Sequence, residues 1–494
     1  LNEEGIMATD TLIHDETVEA WYYVDENGVK LMNQWKQLPN DEGEQVGDIT
    51  PDVLYYRFDG TGKAIRSKDD DLKISTVDGK IYGFDVEGRM ASGWQTVQTA
   101  TEERIYNFGT ELEGWARTGW QYMEPDEKLG REDYDSLEWF WFDPANGRAA
   151  RDTTKYINGR YYSFDENGVM LHDWYNITTL PAAASNGKAY ASSNGTLSSG
   201  WVLTTDMDDA DGDDYWYYLV TLRDGSNVKR SVPYNYFPTD APSELGVEGV
   251  RAKVIKNKTY IFNTNGKMLT GFVAVDEGTL STELRALAVN GNGESQVASG
   301  ANNELAEFCG ADKPFGNTDN TAYAIKGRTL EEGLYYFNEA GGSVEGQMLT
   351  GRTAVTTDGD TYYYYFNKAG NTNTAGDFGM ALTSTVKDGY LYGRNGRCLA
   401  AEDGNSFAVY EVSNIGKYND GTGLYEIKLP GKTGGTEKVI DSTIPDEAKK
   451  ADVDAAYIVV SKTGRIKQSG TATIDGIKYT IKNYKVVNTN AIDN

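Results

Sequence analysis

The chain has 494 residues, a formal net charge of −28, and 34 Tyr, 55 Gly, 11 Pro and two Cys. So acidic a surface repels nucleic acid and anionic lipid, and no run of about eighteen apolar residues is present to make a membrane-spanning helix. Two cysteines far apart, Cys309 and Cys398, exclude a disulfide framework and lack metal-site spacing.

Tyr and Gly enrichment favours many short strands joined by glycine turns over long helices. The negative charge is uneven. Residues 381–494 hold 15 Lys+Arg against 14 Asp+Glu, so the first 380 residues hold 32 against 61.

In chain order, the first residues lack the basic-then-apolar pattern of a secretory signal. NEEGIM at 2–7 instead mirrors DENGVM at 165–170. This half-unit suggests a chain that starts partway through a longer protein or a mature form. Next comes Trp21-Tyr22-Tyr23-Val24-Asp25-Glu26-Asn27-Gly28, leading to Trp35. The same order of residues returns at Tyr55 to Gly62, at Ile81 to Trp94, at Ile105 to Trp120 and at Trp139 to Gly147. Its best copy is 160–175, RYYSFDENGVMLHDWY, and further copies run from Tyr190 to Trp201 and from Tyr215 onward. Alternating aromatic residues favour a strand, and Asn-Gly supplies the positive φ of a tight turn, with a second short strand expected after it. One hairpin alone is marginally stable in water, so copies must pack on each other.

Beyond residue 235 the unit persists in altered form at Tyr260–Phe272, Tyr335–Arg352, Tyr362–Met380 and Tyr390–Gly396. All ten Trp lie between Trp21 and Trp216. The spacing of Leu280, Leu284, Leu287 and Ala288 predicts a short helical insertion near 280–315, with 302–308 as a second helical turn and 290–303 as a mobile loop. Residues 408–494 read as β-rich, with one candidate helix at 446–454. The expected architecture is therefore all-β: a solenoid-like array of stacked β-hairpin repeats with inserted loops, a short helical insertion and a β-rich C-terminal segment. Its expected divisions are a Trp-bearing array at 1–235, diverged repeats at 236–400, and a C-terminal module or cap at 401–494.

The unit Gly-Trp, a spacer, then Tyr-Tyr-x-Phe-Asp-x-Asn-Gly-x-Met resembles the cell-wall-binding repeats, also called choline-binding or glucan-binding repeats, of Gram-positive surface proteins. Its clearest copies are RYYSFDENGVMLHDW, KIYGFDVEGRMASGW and WYYVDENGVKLMNQW. The resemblance implies a non-catalytic, secreted and cell-wall-associated protein. Its partners would be a choline-bearing wall polymer or a glucan, with other surface proteins in addition. It also implies cages in which a corner Trp faces the first aromatic of the next run. Trp120 with Trp139 and Trp141, and Trp201 with Trp216 and Tyr217, match that pattern; Trp174 with Tyr190 matches it in part. A quaternary ammonium is held by aromatic faces, whereas a glucan stacks its flat sugar faces on them.

Ile81, Ile105 and Arg160 replace the first aromatic in otherwise good copies, which weighs toward a neutral saccharide or no small ligand. The alternatives are a structural spacer or protein–protein scaffold, and the targeting region of a larger secreted hydrolase. No catalytic residue, metal site or cofactor is assigned. His14 and His172 read as surface residues, no Ser-His-Asp or Cys-His set can be assembled, and the acidic run 206–214 fails the calcium-loop pattern because Met207 takes the first ligand position.

Overall fold

The computed structural model of the chain describes residues 5, 7–47, 49–126, 137–177, 187–207, 209–223, 228–234, 236, 248–263, 265–277, 284–290, 323–325, 328–330, 333–357, 360–368, 378–382, 385–393, 396–401, 404–413, 436–438 and 455–491. Every regular element among them is a strand. Two compact units form: Leu1–Ser199 with Thr221–Val232, and Gly200–Val220 with Pro233–Asn494.

In the first unit, antiparallel hairpins follow one another along the chain. Thr11–Asp15 pairs with Ala20–Val24, Gln34–Pro39 with Val53–Phe58, and Lys73–Val77 with Lys80–Phe84. Trp94–Gln98 pairs with Glu103–Asn107, and Gly119–Met123 with Glu138–Phe142. Thr153–Ile157 pairs with Arg160–Phe164, and Asp173–Ile177 with Gly187–Ala191. In the second unit Gly200–Asp206 pairs with the part of Asp209–Arg223 up to Leu219, Glu248–Ile255 with Lys258–Phe262, and Gly271–Glu277 with Gly333–Phe337. Gly351–Thr357 on Asp360–Phe366, Thr385–Lys387 on Tyr390–Tyr392, and Phe407–Ser413 on Ala455–Ser461 come next. The last described strands, Gly470–Ile474, Ile477–Lys482 and Lys485–Ala491, form a three-stranded sheet.

The hairpin around residue 160 shows how the repeat is made. Arg160–Phe164 pairs with the strand before it through Asn158 and Gly159, whose φ values are 48° and 84°. Positive φ at both central residues is the turn whose twist matches the flanking strands. After Phe164, the Asp165 carboxylate accepts the backbone N–H groups of Asn167 and Val169 at 2.8 and 2.9 Å, closing an Asx turn. The second strand expected beyond this turn reduces to a single bridge, Phe164 to Met170. Met170 N–H instead bonds back to the carbonyl of Trp139 in the preceding hairpin, at 2.8 Å. The repeat's ladder thus lies on the N-terminal side of the aromatic strand.

That backward bond recurs. Ala64, Met90, Ala116, Ala149 and Leu197 donate to Trp21, Tyr55, Ile81, Ile105 and Tyr161 in the first unit. Met268, Met348, Ala381, Cys398 and Ile466 donate to Trp216, Thr259, Leu334, Tyr363 and Gly389 in the second. Apart from Leu197 and Ile466, the donor's side chain also lies against the turn glycine of the following repeat. Burial at this slot pushes the Cys398 thiol up to about 11. Cys398 therefore takes a methionine's packing role, and Cys309 lies outside the described residues.

A Cβ built on Gly195 would meet Met170 Sδ at 2.2 Å, on Gly114 it would meet Met90 Cε at 2.1 Å, and on Gly346 Met268 Sδ at 2.1 Å. These glycines also hold positive φ, 75° at Gly195. Gly195→Ala should therefore destabilise the first unit by about 1–3 kcal/mol, from strain plus overpacking. Urea unfolding measures this, and Met170→Ala in the same chain should recover the overpacking share. A neutral Gly195→Ala would contradict the stacking.

The predicted helix near 284 is a strand. Leu284–Asn290 lies between Glu248–Ile255 and Gly271–Glu277 in a five-stranded sheet. Its helical spacing also contains a period of two, and the ladder from Phe272↔Asn290 to Glu277↔Leu284 fixes the extended form. Residues 291–303, the helical turn at 302–308 and the candidate helix at 446–454 lie outside the described residues. The C-terminal segment carries one more copy of the repeat, missed in the sequence because Ser replaces Asp. Ser461 Oγ accepts from Thr463 and Arg465 N–H, and Val460 bridges Ile466.

Candidate ligand-binding site

Alternation along each aromatic strand sorts its rings between two faces. In Glu138–Phe142, Phe140 and Phe142 are fully buried, whereas Trp139 is 42% exposed and Trp141 half-buried. In the following unit Tyr217 is fully buried, so Trp216 and Tyr218 face the other way.

In five hairpins the corner aromatic packs on the aromatic strand of the next. Trp35 lies 4.9 Å from Tyr82, Trp94 4.8 Å from Phe140, Trp120 4.8 Å from Tyr162, Trp201 4.7 Å from Tyr260, and Phe272 4.9 Å from Tyr364, between ring centroids. The contact is therefore first an inter-repeat one. A site requires a gap beside it.

Of the expected pairs, Trp120 and Trp139 meet edge to face at 6.1 Å, and Trp139 also leans on Tyr122 at 5.0 Å. Trp141 lies opposite Trp120 in the hairpin register and packs with it against a cluster containing Phe164 and Met170. Trp174 and Tyr190 are direct cross-strand partners, 5.0 Å apart, and Tyr190 is buried.

Trp201 and Trp216 meet edge to face at 6.1 Å and open onto a pocket of about 160 Å³, completed by Tyr260, Met268, Gly342, Ser343 and Glu345. Tyr260 and Met268 come from the next hairpin, and 342–345 from the turn beyond the one after it. Burial pushes the Tyr260 hydroxyl above its usual range. The Trp216 indole N–H donates to Glu345 Oε2 at 3.0 Å. Tyr217, placed with this group from the sequence, faces the core instead. Tyr260 and Met268 are ordinary core positions of the repeat motif, and Glu345 lies 129 residues from Trp216, so no local signal marked them.

Several aromatic faces elsewhere are covered by the chain's own cations. Lys80 Nζ lies 3.2 Å from the Trp115 ring centre, Lys30 3.7 Å from Tyr22, and Lys229 3.7 Å from Tyr161. Lys267 lies 3.9 Å from Tyr215 and pairs with Asp206 at 2.5 Å, so the acidic run begins in an ion pair. At Arg352, which stands where other repeats have the corner aromatic, the guanidinium lies 3.8 Å from Tyr363 and 4.2 Å from Tyr390. Among the described residues, no Lys or Arg covers Trp201, Trp216 or Tyr260, and no group of acids, His or Cys is arranged to hold a metal.

No protein-family model matches the sequence, and no curated protein matches it. Among solved structures, choline binding protein F from Streptococcus pneumoniae is 17% identical over 77% of this chain and 89% of its own, with a TM-score of 0.30. The same protein solved with a peptidoglycan analogue, a tetrasaccharide-pentapeptide, gives 17% identity over 78% and 98%, with a TM-score of 0.31. An alternansucrase in complex with isomaltononaose is 14% identical over 70% of this chain and 17% of its own, with a TM-score of 0.17. The solved structures to which the chain is similar thus include choline-binding proteins, the resemblance expected from its repeats.

Proposed function

We propose that the chain is a non-catalytic attachment protein of the bacterial surface, working outside the cell, that holds a cationic group of a wall polymer between hairpins. The observation that carries this reading is the pocket walled by Trp201, Trp216, Tyr260 and Met268, whose rings, among the described residues, lack the cations that cover several aromatic faces elsewhere. A quaternary ammonium suits such a wall, because it needs aromatic faces and offers no hydrogen to donate. Trp201 and Trp216 report on the site directly. Choline should quench or shift tryptophan emission saturably, with Kd about millimolar, the scale of two or three weak cation–π contacts. Dextran and starch are the contrasting probes. A response to a glucan and none to choline would transfer the site to the saccharide reading.

A second reading applies to the part of the diverged repeats beyond this pocket, from 351 to 400. There Arg352 occupies the Tyr363–Tyr390 faces, and Arg397 lies 3.8 Å from Tyr362 and bonds the Tyr364 hydroxyl at 3.1 Å. Filled faces suit a spacer or scaffold. We accordingly keep the division into a Trp-bearing array at 1–235, diverged repeats at 236–400 and a C-terminal module at 401–494 as part of this proposal.

A further inference from the structure

Glu345 sits just before the turn glycine of its repeat, Gly346, which packs on Met268, itself a wall of the pocket. Its place beside the rings is thus set by the stacking of repeats. Among the described residues, two other repeats have Glu at the same turn position, and both supply it with a cation. Glu87 pairs with Arg89 at 2.9 Å, and Glu113 with Arg117 at 2.7 Å. Among the described residues, no cation pairs with Glu345; its Oε2 accepts only the neutral indole N–H of Trp216.

An indole does not require a carboxylate, since the indole N–H of Trp94 is satisfied by the backbone carbonyl of Glu124 at 3.1 Å. The pocket wall is otherwise largely aromatic and apolar, from Trp201, Tyr260 and Met268. A half-buried carboxylate beside such a wall favours a positive occupant and disfavours a neutral one.

Resting on the cation-binding reading above, we propose that Glu345 is the specificity-determining residue of this site, the counter-charge that selects an ammonium ligand over an uncharged one of the same shape. The indole bond holds its carboxylate at the pocket edge. The rings give dispersion contact to both ligands and cation–π attraction to the ammonium, and Glu345 adds a full counter-charge to that difference.

The test compares choline with 3,3-dimethylbutan-1-ol, its uncharged isostere, by calorimetry and tryptophan emission on the full chain. The native protein should prefer choline at least tenfold. Glu345→Gln, whose amide oxygen can still accept the indole N–H, should cut that preference about tenfold while changing the affinity for the alcohol less than twofold. Added salt should weaken choline binding to the native protein more than to this variant. Trp216→Phe, which keeps a ring but loses the N–H that holds the carboxylate, should also reduce the preference. It guards against a Glu345→Gln chain that fails to fold, which thermal melting would reveal. An unchanged preference in folded Glu345→Gln overturns this proposal and leaves the cation reading standing. A native protein that binds neither probe removes the cation reading itself.

Discussion

Phe164→Ala should lower the stability of the first unit by about 3–5 kcal/mol, the cost of emptying a large buried aromatic site. Phe164 is fully buried, and its ring centre lies 5.8 Å from Trp120 of the preceding hairpin. It closes a cluster with Ala150, Ile157 and Met170, and it makes the bridge to Met170. Its loss therefore removes contact both within its hairpin and to the hairpin before. Urea unfolding followed by far-UV circular dichroism measures the change, and Trp120 emission should shift red as its packing partner disappears. Phe164→Leu, which keeps more of the volume, should cost well under half as much. A Phe164→Ala loss below about 1 kcal/mol would deny the ring its core role.

Trp201→Ala should act on both stability and binding. Its ring lies 4.7 Å from Tyr260, 5.3 Å from Tyr218 and 5.8 Å from Phe262, so truncation should destabilise the second unit by about 3–5 kcal/mol. It also removes one wall of the pocket, so choline should no longer produce a saturable emission change even where the variant is folded. Trp201→Phe separates the two effects: most of the stability should return, with choline affinity reduced severalfold because a smaller ring gives a weaker cation–π face. Unaltered choline binding by a folded Trp201→Ala protein would place the ligand elsewhere.

The repeated hairpin was legible because it follows local rules. Alternating Tyr161 to Phe164 marks the strand, and Asp165 to Gly168 mark a turn after it, expected from the sequence to be the hairpin's tight turn; the tight turn proper is Asn158-Gly159, before the strand. What stayed hidden was which turn opens the main ladder, since both positions carry turn residues and only inter-repeat packing decides between them. Leu284–Asn290 was misjudged for a related reason. Its apolar residues satisfy two periods, and a neighbouring strand chose one.

The sites were legible as aromatic pairs and not as gaps. Trp201 with Trp216 could be read from the motif, whereas Tyr260, Met268 and Glu345 arrive from later repeats by stacking. Tyr217 adjoins Trp216 in sequence yet points to the core, because neighbours on a strand face opposite ways.

The rings already covered by Lys80, Lys229 and Arg352 bear on how the chain would hold a polymer. A wall polymer repeats its cationic group many times, and a protein with many open pockets would gain avidity from each additional engagement. Here internal cations occupy faces that could have served as such pockets. On the proposed reading, each face filled in this way removes a contact, so attachment has a shorter residence time and yields more readily to free ligand. It then suits reversible lodging on a polymer, with exchange between sites, rather than permanent anchorage.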